Sequence, residues 1–102
     1  MRYLIDTNIF VYLATDPELL SPDVSALMEE PDAMIYISAE SVKEEHLETY
    51  AGMELNEAQG HKDPSDHVII AHAITEKLPL ISSDRRFEFY RNQGLDLIFN
   101  EK

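Results

Sequence analysis

Four acidic side chains fall where a predicted strand ends or a predicted helix begins: Asp6, Glu44, Asp66 and Asp84. Asp6 directly follows a short apolar segment, and Asp84 follows the apolar run LPLISS. Glu44 and Asp66 each lie in the first turns of a predicted helix. Because the carboxyl ends of parallel strands and the amino ends of the following helices meet at one edge of a sheet, we expect these carboxylates to converge there.

Clustered carboxylates of this kind favour the binding of a hard divalent cation. Four carboxylates about 6 Å apart repel each other by roughly 2 to 3 kcal/mol per pair at an effective dielectric constant near 20. Oxygen ligands select Mg²⁺ or Mn²⁺ over zinc, and such ions promote the attack of water on a phosphodiester. Taken singly, each acid has an equally ordinary explanation as a helix cap, so the chemistry depends on all four meeting.

The elements that would position these acids alternate between strand and helix. Short apolar segments predict strands at residues 3–5, 34–37, 80–82 and 97–99. Capping signals predict helices after Ser21, after Ser41 and after Asp63, and a last helix at residues 85–93 that ends at Gly94. Alternation of this type predicts an α/β fold: a three-layer α/β/α sandwich with a mostly parallel sheet of four or five strands.

Size and composition restrict the classes of protein to which the chain can belong. Its 102 residues predict one domain, residues 1–102, and the absence of cysteine excludes disulfides and thiolate metal sites. The net charge of −12 argues against attraction of nucleic acid by clustered Lys and Arg. No signal-peptide pattern and no apolar run of membrane-spanning length is found, so we expect a cytoplasmic protein without a membrane partner.

Four motifs occur in a fixed order between residue 2 and about residue 99: LIDTNIF, ISAESVKEE, DPSDHVIIAHAI and LPLISSDRRF. Together they resemble the PIN domain, in particular the VapC-type toxins of bacterial toxin-antitoxin pairs. The resemblance implies an α/β/α fold and an endoribonuclease that depends on Mg²⁺ or Mn²⁺. It also implies an RNA substrate, a homodimer and a cognate antitoxin protein as partners.

The resemblance assigns roles to individual residues. It implies that Asp6, Glu44, Asp66 and Asp84 bind the metal and are catalytic. Thr7 and Ser83 match small hydroxyl positions beside the first and last acids, where they would hold a water or a phosphate. Arg85 and Arg86 follow Asp84 and either steer a phosphate toward the metal or begin a solvated helix.

One departure from the family concerns the segment between the second and third acids. Only 21 residues separate Glu44 from Asp66, whereas typical members have additional helices there. We expect a loop at residues 51–63 in their place, and apolar surface that is buried against a second copy or an antitoxin. The alternative function is therefore a non-catalytic PIN remnant that binds an antitoxin or associates with itself.

Other chemical interpretations are weaker. His61, His67 and His72 invite a zinc site, but His67 and His72 lie on poorly matched faces of a helix, so surface histidines are expected. Phe87 and Tyr90 could stack on bases, although their spacing is more typical of a core. A response-regulator receiver needs an acid where Ser38 stands, and a haloacid-dehalogenase-like phosphatase needs one at Asn8.

Overall fold

The computed structural model describes residues 1–37, 49, 51–54 and 64–101. Most of the helix predicted after Ser41, with Glu44, and most of the loop predicted at 51–63 lie outside these residues. Residues 49, 51 and 52 are helical, so the prediction that the loop begins at residue 51 is wrong. The described elements are, in chain order, β1 (Arg2–Ile5), α1 (Thr7–Thr15), a first 3₁₀ helix (Pro17–Leu19), α2 (Pro22–Met28), β2 (Met34–Ile37), α3 (Pro64–Glu76), β3 (Leu80–Ser82), a second 3₁₀ helix (Arg85–Gln93) and β4 (Leu97–Phe99).

The sheet has four parallel strands in the order β2-β1-β3-β4. The central strands are β1 and β3, which pair Leu4 with Leu80 and Ile5 with Ile81. The predicted α/β fold with a parallel sheet is therefore confirmed.

Side chains that alternate along the strands supply two hydrophobic clusters, one on each face of the sheet. Leu4 and Leu80 belong to the cluster that α3 and the second 3₁₀ helix cover. Ile5 and Ile81 belong to the other cluster, together with Ile9 of α1 and with residues of α2. Because both faces of the central strands are buried, the molecule has the three layers expected of an α/β/α sandwich.

Helix caps lie where the sequence predicts them. The Asp6 carboxylate accepts a hydrogen bond from the Ile9 backbone N–H at 3.0 Å, and the Ser21 hydroxyl accepts one from Val24 at 3.2 Å. Gly94 ends the second 3₁₀ helix with φ +101°, a conformation that side chains with a Cβ rarely adopt. These caps fix where α1 and α2 begin, and therefore where the chain leaves each strand.

The last predicted helix, residues 85–93, differs from expectation in type, since it is a 3₁₀ helix. Its buried aromatic residues, Phe87 and Tyr90, are both 0% exposed. They are three residues apart, and a 3₁₀ helix places side chains at that spacing directly above one another. Both rings therefore lie on the side of the helix that packs against the sheet. The prediction that both aromatics belong to the core is confirmed.

Apolar side chains are exposed on two elements of the described structure. On β2, an edge strand, Met34 is 53% and Ile37 47% exposed. On α1, Phe10 and Val11 are more than two-fifths exposed. The expected apolar surface beside the shortened segment, and its burial against a partner, stay predictions. Within the described residues, no helix combines the length and the hydropathy that a membrane span needs.

Candidate acidic site at the carboxyl edge of the sheet

The order of the strands reverses between β1 and β3. From β1 the chain passes to β2 on one side, and β3 then pairs with the other side of β1. Ligands of open parallel sheets bind outside the carboxyl ends of the strands at such a reversal. Asp6 leaves β1 and Asp84 follows β3 at this edge.

Asp6 is the buried acid of this edge, with 6% of its surface exposed. Its Oδ1 accepts the hydrogen bond from Ile9, and its Oδ2 accepts one from the Ser82 hydroxyl at 2.6 Å. Burial raises the pKa of Asp6, and the charges of Asp66 and Asp84 raise it further, against the opposing effect of the two hydrogen bonds. The two neutral donors thus offset only part of the cost of burying this carboxylate.

Ser82 connects the two strand-end acids, a role that was not predicted for it. Its hydroxyl, fully buried, donates to Asp6 and accepts a hydrogen bond from the Asp84 backbone N–H at 3.1 Å. Ser83, which was selected instead, has its hydroxyl 2.9 Å from the Asn100 side-chain amide, which donates to it. A hydroxyl that ends an otherwise apolar strand is the signal that could have identified Ser82.

Asp84 has a different environment, because an arginine engages both of its carboxylate oxygens. Arg86 Nε lies 3.1 Å from Oδ1 and 3.2 Å from Oδ2, and Arg86 Nη2 lies 2.8 Å from Oδ2. The backbone N–H of Arg86 also donates to Oδ1 at 2.9 Å, so Asp84 caps the second 3₁₀ helix as well. Both groups are partly exposed, at 21% for Asp84 and 38% for Arg86.

The third described acid, Asp66, lies in the first turn of α3, and its charge reaches Asp6. Three of the four predicted acids thus share one electrostatic environment, while Glu44 lies outside the described residues. Carboxylate donors suit Mg²⁺ or Mn²⁺. Among residues 1–37, 49, 51–54 and 64–101, however, no three His, Asp or Glu side chains form a group that could hold a metal ion.

The remaining predicted residues lie around this edge with other contacts. Thr7 is the first residue of α1 and is exposed. The Arg85 guanidinium lies 4.8 Å from the centre of the Phe99 ring, and one of its nitrogens lies 3.9 Å from a carboxylate oxygen of Glu101. Arg85 and Arg86 therefore have separate partners, although they are adjacent in sequence.

The expectation that the histidines are at the surface is wrong for His67, which is only 3% exposed. Its position one residue after Asp66 places it in the first part of α3, where the helix packs against the sheet. His72 is half-buried and lines a cavity of about 300 Å³ with Arg2, Tyr36 and Glu76. None of the three described acids, Asp6, Asp66 and Asp84, lines that cavity.

The Asn100 side chain forms hydrogen bonds to three other residues at this edge, and this role was not predicted either. Its side-chain oxygen accepts a hydrogen bond from the Ser21 N–H at 2.5 Å, and its amide donates to the Leu19 carbonyl at 3.0 Å as well as to Ser83. Asn100 directly follows β4, as Asp6 follows β1. A polar residue directly after a buried strand was the available signal.

No protein-family model, curated protein or solved structure matches the chain. The fold and the geometry of the acidic edge are therefore the basis for a functional conclusion.

Proposed function

We propose that this protein is a metal-dependent endoribonuclease of the PIN type, acting at the carboxyl edge of β1 and β3. The observation that carries the proposal is the buried Asp6 carboxylate at the strand-order reversal, whose pKa is raised by burial and by Asp66 and Asp84. A perturbed acid in the crevice where α/β folds bind ligands is typical of a functional site.

The two hydrogen bonds to Asp6 support a role for its charge. Helix capping explains the bond from Ile9, but it does not require the carboxylate to be buried close to two further acids. The Ser82 hydroxyl favours the ionised form and fixes the orientation of Oδ2. The chain thus keeps a carboxylate in one position against the cost of its burial.

Carboxylate oxygens are the donors that Mg²⁺ or Mn²⁺ prefers, and the proposal assigns the ion to Asp6, Asp66 and Asp84 together with Glu44, because the three described acids alone do not form a group that could hold it. Such an ion supplies a water of lowered pKa and positive charge at the leaving oxygen. Positive charge is also what the chain lacks for an RNA substrate, since its net charge is −12. A role as the toxin of a toxin-antitoxin pair, with an antitoxin, a homodimer and a cytoplasmic location, belongs to the same proposal.

Cleavage of single-stranded RNA under Mg²⁺ or Mn²⁺ titration tests the proposal. We expect metal-dependent cleavage, and Asp6→Asn should lower its rate at least about 100-fold, because even residues that only orient metal ligands affect activity 10- to 100-fold. Asp32→Asn is the matched control. Asp32 is exposed and contacts the amino terminus, at the opposite edge of the sheet, so this change should leave the rate unaltered.

A second candidate is the non-catalytic binding module. It is favoured by the Arg86 side chain on Asp84 and by the exposed apolar residues of α1. Metal binding without RNA cleavage, together with concentration-dependent sedimentation, would support the module over the nuclease.

A further inference from the structure

The cavity of about 300 Å³ beside α3 is separate from the acidic edge, whose described acids do not line it. It is lined by Arg2 and Leu4 of β1, by Tyr36 and Ile37 of β2, by Leu78, which follows α3, and by two polar residues of α3. Its volume equals that of about ten water molecules, the lower end of the size range of small-molecule sites. A wall of apolar side chains with a few polar ones is typical of such sites.

The register of the sheet explains why there is space at this place. Leu4 pairs with Tyr36, so the two side chains lie on the same face of the sheet, the face that α3 covers. Leu4 is 0% exposed there, whereas Tyr36, on the edge strand β2, is 38% exposed. The helix therefore covers the central strand more completely than β2, and the cavity lies beside β2.

Arg2 supplies the cationic group of this wall. Of the four arginines in the described residues, three contact a carboxylate: Arg85, Arg86 and Arg91. The Arg2 side chain forms no hydrogen bond or ion pair with any described residue, although the chain has 20 acidic residues and only 8 basic ones. A planar guanidinium of this kind matches the geometry of a carboxylate, which it binds through two parallel hydrogen bonds.

The two polar residues that α3 contributes are His72 and Glu76. Each has a further interaction of its own, and we assign neither to a ligand. Glu76 would by itself favour a cation, whereas Arg2 favours an anion. Because Glu76 is already engaged and Arg2 is not, an anionic group is favoured, and the sign of the ligand's charge is what an experiment has to distinguish.

We infer that this cavity binds a small carboxylate with an apolar body. The carboxylate contacts the Arg2 guanidinium, and the apolar body packs on Tyr36 and Ile37, which are both more than a third exposed. Replacing water at these side chains stabilises the complex through burial of apolar surface. Because no acid of the candidate nuclease site takes part, this binding and the proposed nuclease activity are independent of each other.

The first experiment compares three probes that share one apolar body and differ in charge: phenylacetate, phenethyl alcohol and phenethylammonium. Each is added to the full chain while ¹H–¹⁵N NMR signals are recorded. Phenylacetate should bind with a dissociation constant of about 1 mM, as expected of a ligand of this size. The alcohol should bind about tenfold more weakly, because it lacks the charged hydrogen bonds. The ammonium should bind more weakly still.

The same spectra show where the probe binds. The backbone amide signals of Leu4, Tyr36 and Leu78 should shift with phenylacetate, because these residues line the cavity. The signals of Ser82 and Asp84, at the acidic edge, should not shift.

Substitutions then test the guanidinium and the apolar wall separately. Arg2→Gln should weaken the binding of phenylacetate about tenfold and leave that of the alcohol unchanged. Arg85→Gln is the matched control, since it removes the same charge outside the cavity, and it should change neither affinity. Ile37→Ser should weaken the binding of both probes about fourfold, the effect of about one buried methylene group.

Three results would overturn the inference. The first is binding of the ammonium as tight as that of phenylacetate, because Glu76 would then determine the charge of the ligand. The second is an equal loss of phenylacetate affinity in Arg2→Gln and Arg85→Gln, which would indicate attraction by net charge alone. The third is the absence of shifts at the cavity with any of the three probes.

Discussion

Asp6 and Asp84 occupy corresponding positions and have opposite electrostatic environments. Each follows a central parallel strand, and each caps the helix that comes next. Asp6 is buried, receives only neutral donors and has a raised pKa, whereas Asp84 is partly exposed and held by an arginine. The same local pattern of strand, acid and helix therefore produces one carboxylate whose charge is disfavoured by burial and one whose charge is paired with an arginine.

The comparison depends most on Ser82, whose hydroxyl touches both acids. Ser82→Ala should lower the free energy of unfolding by about 2 to 3 kcal/mol, because a buried charged acceptor loses its donor. Urea denaturation at pH 7 measures this. Ser83→Ala, the matched control, should lower it by only about 1 kcal/mol. In an Asp6→Asn background the effect of Ser82→Ala should shrink, since no charge is then left unpaired.

Asp6→Asn should stabilise the protein, because asparagine still caps α1 and carries no buried charge. The pKa of Asp6 is higher in the folded chain than its ordinary value of 3.8. Stability from its protonation is therefore full below about pH 4 and is lost as the pH rises through the folded-state pKa. The variant should gain on the order of 1 kcal/mol at pH 7, and much less at pH 3.5. Equal unfolding curves at both pH values would contradict the assigned burial of charge.

Asp84→Asn should lower the free energy of unfolding, and by less than Asp6→Asn raises it. It removes the ion pair with Arg86 but keeps a capping oxygen, so we expect a loss of less than about 1 kcal/mol. The difference from the natural chain should narrow in 1 M salt, because exposed pairs are screened. Thermal unfolding at low and high salt tests this, and a gain in stability would remove the contrast with Asp6.

Arg85→Gln should have the smallest effect. Arg85 and Glu101 are both more than two-thirds exposed, and such pairs contribute little. We expect a change within about 0.5 kcal/mol at pH 7, measured in the same urea series. A larger loss would show that Arg85, and not only Arg86, is part of the acidic edge.

Local signals in the sequence were sufficient for the strands, the parallel sheet and the caps at Asp6 and Ser21. These features depend on periodicity and on side chains that bond to backbone a few residues away. The pairing of Asp84 with Arg86 rather than with Arg85 could not be predicted, because it depends on the turn that the 3₁₀ helix makes after Asp84. The buried position of His67 depends on how α3 packs against the sheet, which its neighbours in sequence do not reveal.

The hydrogen bonds of the Asn100 side chain have a consequence for the order in which parts of the chain fold. Its partners Ser21 and Leu19 lie 79 and 81 positions earlier in the chain. Contacts across such separations close a long loop and form late in folding. We therefore expect the edge that carries Asp6 and Asp84 to become rigid only after β4 has docked, so that a chain shortened to residues 1–96, which lacks β4, would not hold these acids in place.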